Sequence, residues 1–303
     1  MMKQKGFTLL ELLVVVTILA VLAAGALVAY DGIGESSKSA ADSNNIATID
    51  GAIRTYKVVE SALPNQFDSL LEDDGTVLAT GILHEDLEEV LALWNQSNVS
   101  SVGSSVAAAF TALGFDELQA IEAGTTAAAA AAVNGGINMA HNELSGIADE
   151  VDVTGTTDWA VVVGFDDIAP TTGACTAGGG TFSTSLAGVA ATSNAVQARI
   201  NDAWAESESF GNCNLIIAVG FGNDAAQSTS DSPAAVQAAA ASASVNKTTY
   251  GRYIALFHVG EDLNNNQNLN DAGEIHETPH FVGLITPNGK TLNETIAEAK
   301  GVE

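Results

Sequence analysis

Gly6-Phe7-Thr8-Leu9-Leu10-Glu11-Leu12-Leu13-Val14-Val15-Val16 is the stretch on which the reading of this chain turns. It follows a short basic segment, MMKQKG, carrying Lys3 and Lys5, and it opens an apolar run over 7–30 whose sole formal charge is Glu11. At 1.5 Å per residue that run extends about 36 Å as a helix, enough to cross a hydrocarbon core of about 30 Å. The basic segment then stays cytoplasmic and everything after Tyr30 faces outward. A cleavable secretory signal has a shorter apolar region, and Ala23, Ala24 and Ala26 only imitate its cleavage site. Glu11 argues against that alternative, because a carboxylate inside a spanning helix costs roughly 2.5–3.5 kcal/mol on insertion scales. A residue that costly implies a partner.

The segment from Gly6 to Val16 resembles the processing and assembly motif of the type IV pilin and type II secretion pseudopilin family. The resemblance implies that a prepilin peptidase cuts between Gly6 and Phe7, that Phe7 becomes the methylated N-terminus, and that Glu11 is the fifth residue of the mature chain. It also implies a single-pass precursor in the inner membrane, delivered through an assembly platform into a periplasmic or cell-surface filament with itself and other pilin-like subunits. The chemistry suits these residue types: cleavage leaves an ammonium on Phe7 in apolar surroundings, and Glu11 of a neighbouring copy can neutralise it. Such a pair also fixes the axial stagger between helices, as a polar core residue does in a coiled coil. One departure stands out. Many family members carry a proline where this chain has Val28; Gly25, Gly32 and Gly34 offer a softer break.

The remaining composition fits an exported head. A formal charge of −27, from 10 Lys+Arg against 37 Asp+Glu in 303 residues, repels phosphate backbones and argues against nucleic acid as a partner. Two cysteines, Cys175 and Cys213, fit one disulfide in an oxidising compartment; two buried thiols are the alternative.

Residues 7–60 are expected to form one helix, 7–30 spanning the membrane or lining a filament core, after a leader over 1–6. Beyond Lys38, Ile46, Ile49, Ile53 and Tyr56 recur at helical spacing, and Leu63-Pro64-Asn65 ends the helix. The extracytoplasmic head, 61–303, reads as helix-rich to about 150: Leu87, Val90, Leu91 and Trp94 suggest one apolar helix face, Phe115, Leu118 and Ile121 another. After 155, β-branched and aromatic runs at 159–165, 215–221, 250–259 and 275–285 predict strands, with a helix over 194–205 between them. The fold class is therefore α+β, a long N-terminal helix against a mixed head with an antiparallel sheet.

Two segments carry candidate metal chemistry. His276-Glu277-Thr278-Pro279-His280 has HExxH spacing, but Pro279 and the apolar strand that follows oppose the helix a zinc site needs. Over 262–274, hard oxygen ligands alternate, and the segment resembles a calcium loop with Asp262, Asn264, Asn266, Asn268 and Glu274 as candidate ligands. It lacks the turn glycine, with Gln267 in its place, and Glu274 falls one position late; a solvated hairpin loop is the alternative. No Ser-His-Asp pattern, phosphate loop or CxxC pair points to catalysis. The reading is a non-enzymatic filament subunit with calcium as a possible cofactor. A tethered or exported calcium-binding module and a metal-dependent enzyme are the competing classes.

Overall fold

The structure is a computed structural model, and it describes residues 9–95, 106–154, 158–162, 176–177, 180–181, 214–261, 263, 271 and 273–301. Helix α1, Leu9–Glu60, runs unbroken for 52 residues, about 78 Å at the α-helical rise. Its first part, Leu9–Leu27, is exposed throughout and is the one helix among the described residues long and apolar enough to cross a membrane. It passes through Gly25 and Gly34 without a break, and an added Cβ at either would meet nothing within 4 Å. The second part is amphipathic: Ile46, Ile49 and Ile53 are buried, while Arg54 and Thr55 between them and Tyr56 face outward. The helix stops where Ser61 takes a φ of 55° ahead of Pro64.

The head is built on a mixed sheet. Its strands are β1 (Phe67–Glu72), β2 (Leu91–Asn95), β3 (Glu117–Ile121), β4 (Ala148–Asp152), β5 (Asp158–Val162), β8 (Asn214–Gly220), β9 (Ile254–Glu261) and β10 (Ile275–Ile285). A separate small hairpin joins β6 (Thr176–Ala177) to β7 (Gly180–Thr181). The main path is β10-β9-β8-β1-β3-β4, and β8 forks: Gly220 pairs with Asp68 of β1, whereas Ile217 pairs with Val161 of β5, which carries β2. β1 and β3 run parallel and the other described pairs antiparallel. The short helices α2 (Glu85–Val90), α3 (Val106–Thr111), α4 (Ala127–Ala132) and α5 (Asn223–Gln227) fill the connections, and α6 (Leu292–Ala299) packs on α1.

The expectation of a helix-rich stretch to about 150 is corrected, since four strands lie within 67–152. Leu87, Val90, Leu91 and Trp94 have helical spacing, yet the helix ends at Val90. Leu91–Asn95 pairs residue for residue with 158–162, and that long-range ladder outweighs local periodicity. Phe115, Leu118 and Ile121 likewise lead into a strand. The sheet is consequently not confined to residues after 155. The helix expected over 194–205 lies outside the described residues.

Alternation along the central strands separates two cores. Leu215, Ile217, Val219, Ala255, Phe257 and Val259 join Phe67, Trp94, Phe110, Phe115 and Trp159 beneath α1. Ile216, Ala218, Ile254 and Leu256 face the opposite way, toward Leu70, Ile82, Leu87 and Tyr250. β10 closes the sheet beside α1. Arg54 lies over the Phe281 ring, its centroid 5.0 Å away, and donates to Val282 O at 2.6 Å, while Lys57 donates to Pro279 O at 3.2 Å.

Candidate functional site

Three parts of the molecule carry polar or exposed features that packing alone does not require. The first is the N-terminal helix. Gly6 and Phe7 lie outside the described residues; Glu11 stands exposed in the first turn of α1, where its charge complements the helix dipole. None of the described residues of the head covers Leu9–Leu27, so about 28 Å of apolar helix stands clear of the part of the fold that anchors its other half.

That anchor contains a residue the sequence reading missed. Asp42 is 1% exposed and receives three hydroxyl hydrogen bonds: from Tyr253 to Oδ1 at 2.7 Å, and from Ser242 and Ser244 to Oδ2 at 2.8 and 2.5 Å. Asn45 Nδ2 donates to the same Tyr253 oxygen at 2.9 Å, and Ser39 Oγ reaches Glu298 of α6 at 2.9 Å. The signal was available, because Asp42 occupies the i−4 position from Ile46 on the buried stripe, where a charge needs a partner.

The second part is the end of the β9–β10 hairpin. Glu261 N donates to Glu274 O at 2.9 Å and Ile275 pairs with Gly260, so the ends of the candidate calcium loop are held together. Glu274 is 1% exposed; its Oε2 accepts from Asp271 N at 2.8 Å, and its buried Oε1 has no hydrogen-bond partner. Asp262, Asn264, Asn266 and Asn268 lie outside the described residues, as do Cys175 and Cys213. Just beyond, the HExxH residues occupy a strand as expected. Six residues of β10, from Ile275 to His280, lie against three of β9, from Gly260 to His258, and this bulge brings His276 beside His280, with ring centroids 5.0 Å apart, and beside His258 at 4.8 Å. Burial, then the charges of His276 and His280, hold the His258 pKa down to about 3. Among the described residues no group of three or more His, Cys, Asp and Glu side chains is arranged to hold a metal ion.

The third part is a polar row across the face of the sheet opposite α1. Register aligns Gly220, Asp68, Gln119 and Glu150 on four adjacent strands. Asp68 is 2% exposed, and its Oδ2 accepts from Tyr250 Oη at 2.6 Å. Burial raises its pKa to about 7, against the opposing pull of the Tyr250 hydrogen bond and the Arg252 charge. Two glycines make room for it: a Cβ on Gly222 would lie 2.2 Å from Asp68 Oδ1, and one on Gly220 would lie 1.8 Å from Tyr250 Oη. Nearby, His141 Nε2 contacts Ser69 O at 2.8 Å, and burial lowers the His141 pKa to about 4. Asn142 donates to Asp224 at 2.6 Å. At the outer end, Gln66 and Gln119 each donate to Glu150 Oε1 at 3.3 Å, and Glu143 hydrogen-bonds with Glu150, a contact that raises the Glu143 pKa. This row is a product of strand register and left no local signal in the sequence.

The row is buried or stabilising in character and holds no nucleophile, base and oxyanion donor in a catalytic arrangement. The free apolar helix is the larger departure from a self-contained fold, and the comparisons bear on it directly. No curated protein and no solved structure matches the chain. The family described as the prokaryotic N-terminal methylation motif matches residues 1–27, so the chain carries at its N-terminus the signature of type IV pilins and pseudopilins.

Proposed function

We propose that this protein is a structural subunit of a type IV pilus-like or type II secretion pseudopilus filament. In this reading it is made as a membrane-anchored precursor, cut by a prepilin peptidase between Gly6 and Phe7, and assembled through α1. The observation that carries the proposal is the exposed apolar segment Leu9–Leu27, continuous with a helix bolted to an acidic head and headed by the methylation motif. Such a segment suits lipid before assembly and a bundle of like helices afterwards. Glu11 then neutralises the Phe7 ammonium of a neighbouring copy. Glu11→Ala is expected to leave membrane insertion intact while reducing sheared filament to background, and mass measurement of mature protein is expected to place a methylated Phe7 at its N-terminus. A mature chain beginning after Ala24 or Ala26, or normal filament yield from Glu11→Ala, refutes the reading.

The head adds a second, separable proposal: calcium is held by the loop over 262–274, with Asp262, Asn264, Asn266, Asn268 and Glu274 as ligands. What supports it is Glu274, whose buried Oε1 lacks a partner at the mouth of a loop whose ends the β9–β10 ladder clamps. Millimolar calcium is expected to raise the melting temperature of the full chain in detergent, with Asp262→Ala weakening the effect; a shift that Asp262→Ala leaves untouched refutes it.

A further inference from the structure

We propose that the heads of neighbouring copies meet head to tail: the turn carrying Leu144 in one copy seats in a groove between α1, β10 and α6 of the next. The use of this contact rests on the filament reading, but its existence does not, and the two fail separately.

The knob is built in advance. Leu144 is 92% exposed, more than any other large apolar side chain of the described head. Single surface leucines are common and need no account. This one stands at the tip of a short 3₁₀ turn, Glu143–Ser145, that the head holds from both sides. Leu144 N donates to Asn142 Oδ1 at 3.0 Å, and the same side chain donates through Nδ2 to Asp224 at 2.6 Å. Ser145 Oγ donates to Ala140 O at 2.9 Å, and Gly146 closes the turn with a φ of 76°. An apolar tip on backbone that is already ordered loses little freedom when a partner covers it.

The groove lies at the other margin of the head. It has a volume of 410 Å³ and is lined by Ile46, Ala47 and Gly51 of α1, Val282 and Leu284 of β10, and Leu292 of α6. Ala47 and Gly51 keep its mouth open: both are exposed, and a Cβ added to Gly51 would meet nothing within 4 Å. Removing one leucine side chain from a core leaves about 150 Å³, so the groove has room for a leucine and part of its turn.

Charge selects a second copy as the occupant. Around the knob, Glu143, Asp149, Glu150 and Asp152 are exposed, and no Lys or Arg occurs between Lys57 and Arg199. Beside the groove stand Arg54 and Lys57, donating to neutral carbonyls of β10, and Lys290, which precedes the lining residue Thr291. Arg54 also pairs with Asp50 at 2.7 Å and Lys290 with Glu298, while among the described residues Lys57 forms no ion pair. Copies that each carry a formal charge of −27 repel unless their few cations face the partner's acids, and this docking brings them face to face. Topology then sets the kind of assembly. The knob packs on β4 and the groove on β10, the two ends of the main sheet path, with four strands between them. At about 4.8 Å per strand, the two margins stand about 24 Å apart. Because the two surfaces differ, the contact is heterologous, and its repetition gives an open row of heads instead of a closed pair.

The test places the photoreactive amino acid p-benzoylphenylalanine at Ala47, in the mouth of the groove, and mixes this full chain in detergent with isotope-labelled full chain that lacks the probe. Irradiation is expected to join the probe to a labelled peptide containing Leu144, with the site read by mass spectrometry. Leu144→Asp in the labelled copy is expected to lower the yield roughly tenfold or more, whereas the same change in the probe copy leaves it unaltered. Gly51→Leu in the probe copy fills the groove and is expected to lower the yield as far. Leu144 is exposed and Gly51 faces open space, so both variants keep the fold, which circular dichroism checks. Raising the salt from about 0.05 to 0.5 M is expected to lower the yield, because complementary charges draw the copies together. If the probe joins residues away from 142–146, or if Leu144→Asp in the labelled copy leaves the yield unchanged, the contact does not exist. Sheared filaments in which the Ala47 probe reacts elsewhere remove the contact and keep the filament reading; the labelled crosslink in detergent, from a protein that makes no filament in cells, keeps the contact and removes that reading.

Discussion

Replacing Asp68 with Asn should make the head more stable at neutral and alkaline pH, by an amount that grows between about pH 4 and 7 and then levels off. The carboxyl is 2% exposed and its pKa stands at about 7, against an ordinary value of 3.8. For an acid whose folded pKa is raised, the folded state holds the proton more tightly than the unfolded chain. Its contribution is therefore fully present below about pH 4 and is lost as pH rises to about 7. At 1.36 kcal/mol per pH unit, the penalty above pH 7 is about 4 kcal/mol. Asn keeps the shape and still accepts from Tyr250, but it never ionises. His141 and His258 are held neutral in the fold and impose the opposite slope on acidification, and both are present in each protein, so they cancel in the difference between variant and wild type, which reports Asp68 together with the neighbouring Asp224, whose pKa the Asp68 charge raises. Denaturant unfolding followed by fluorescence of the buried Trp94 and Trp159 between pH 4 and 9 reads that difference directly. A difference that does not change between pH 5 and 8 would mean that Asp68 ionises at an ordinary pKa, and the burial argument would fall.

The helix anchor and the glycine cradle give further tests. Asp42→Ala removes the acceptor of three hydroxyl hydrogen bonds at once and is expected to cost about 2–4 kcal/mol of unfolding free energy, with Asp42→Asn milder because the hydroxyls can reverse. Gly220→Ala forces Tyr250 away from Asp68 and is expected to cost about 3 kcal/mol, read in the same unfolding experiment.

How far the sequence carried the fold can be argued element by element. The spacing of Ile46, Ile49 and Ile53 identified the face α1 buries, because a helix's contacts are set within a few residues. The apolar runs of β8 and β9 were legible because central strands are covered on both faces, and the border strand β10 still carries an apolar run from Phe281 to Ile285. The strands before residue 155 were not, since six residues such as Phe67–Glu72 show no period, and the Leu87 to Trp94 spacing fits a helix until β5 supplies its ladder. Of the sites, the N-terminal methylation motif is local, and the family match over residues 1–27 agrees with its reading from the sequence. The row from Asp68 through Gln119 to Glu150 exists only once β1, β3 and β4 are in register, and no one-dimensional pattern encodes it.

The border strand β10 limits how copies of this protein can meet. A strand at the margin of a sheet is a template on which a second chain can lay down another strand, and crowded heads with a bare margin would zip into cross-β ribbons. Here two outward carbonyls, those of Pro279 and Val282, are already taken by Lys57 and Arg54, and Pro279 itself has no N–H to offer. A chain with only 10 basic residues has placed two of them at this margin. Growth by sheet extension would have to evict both cations, whereas the apolar half of α1 stands open to a like helix. In the proposed filament, contact of rod against rod would thereby be favoured over extension of the sheet at β10.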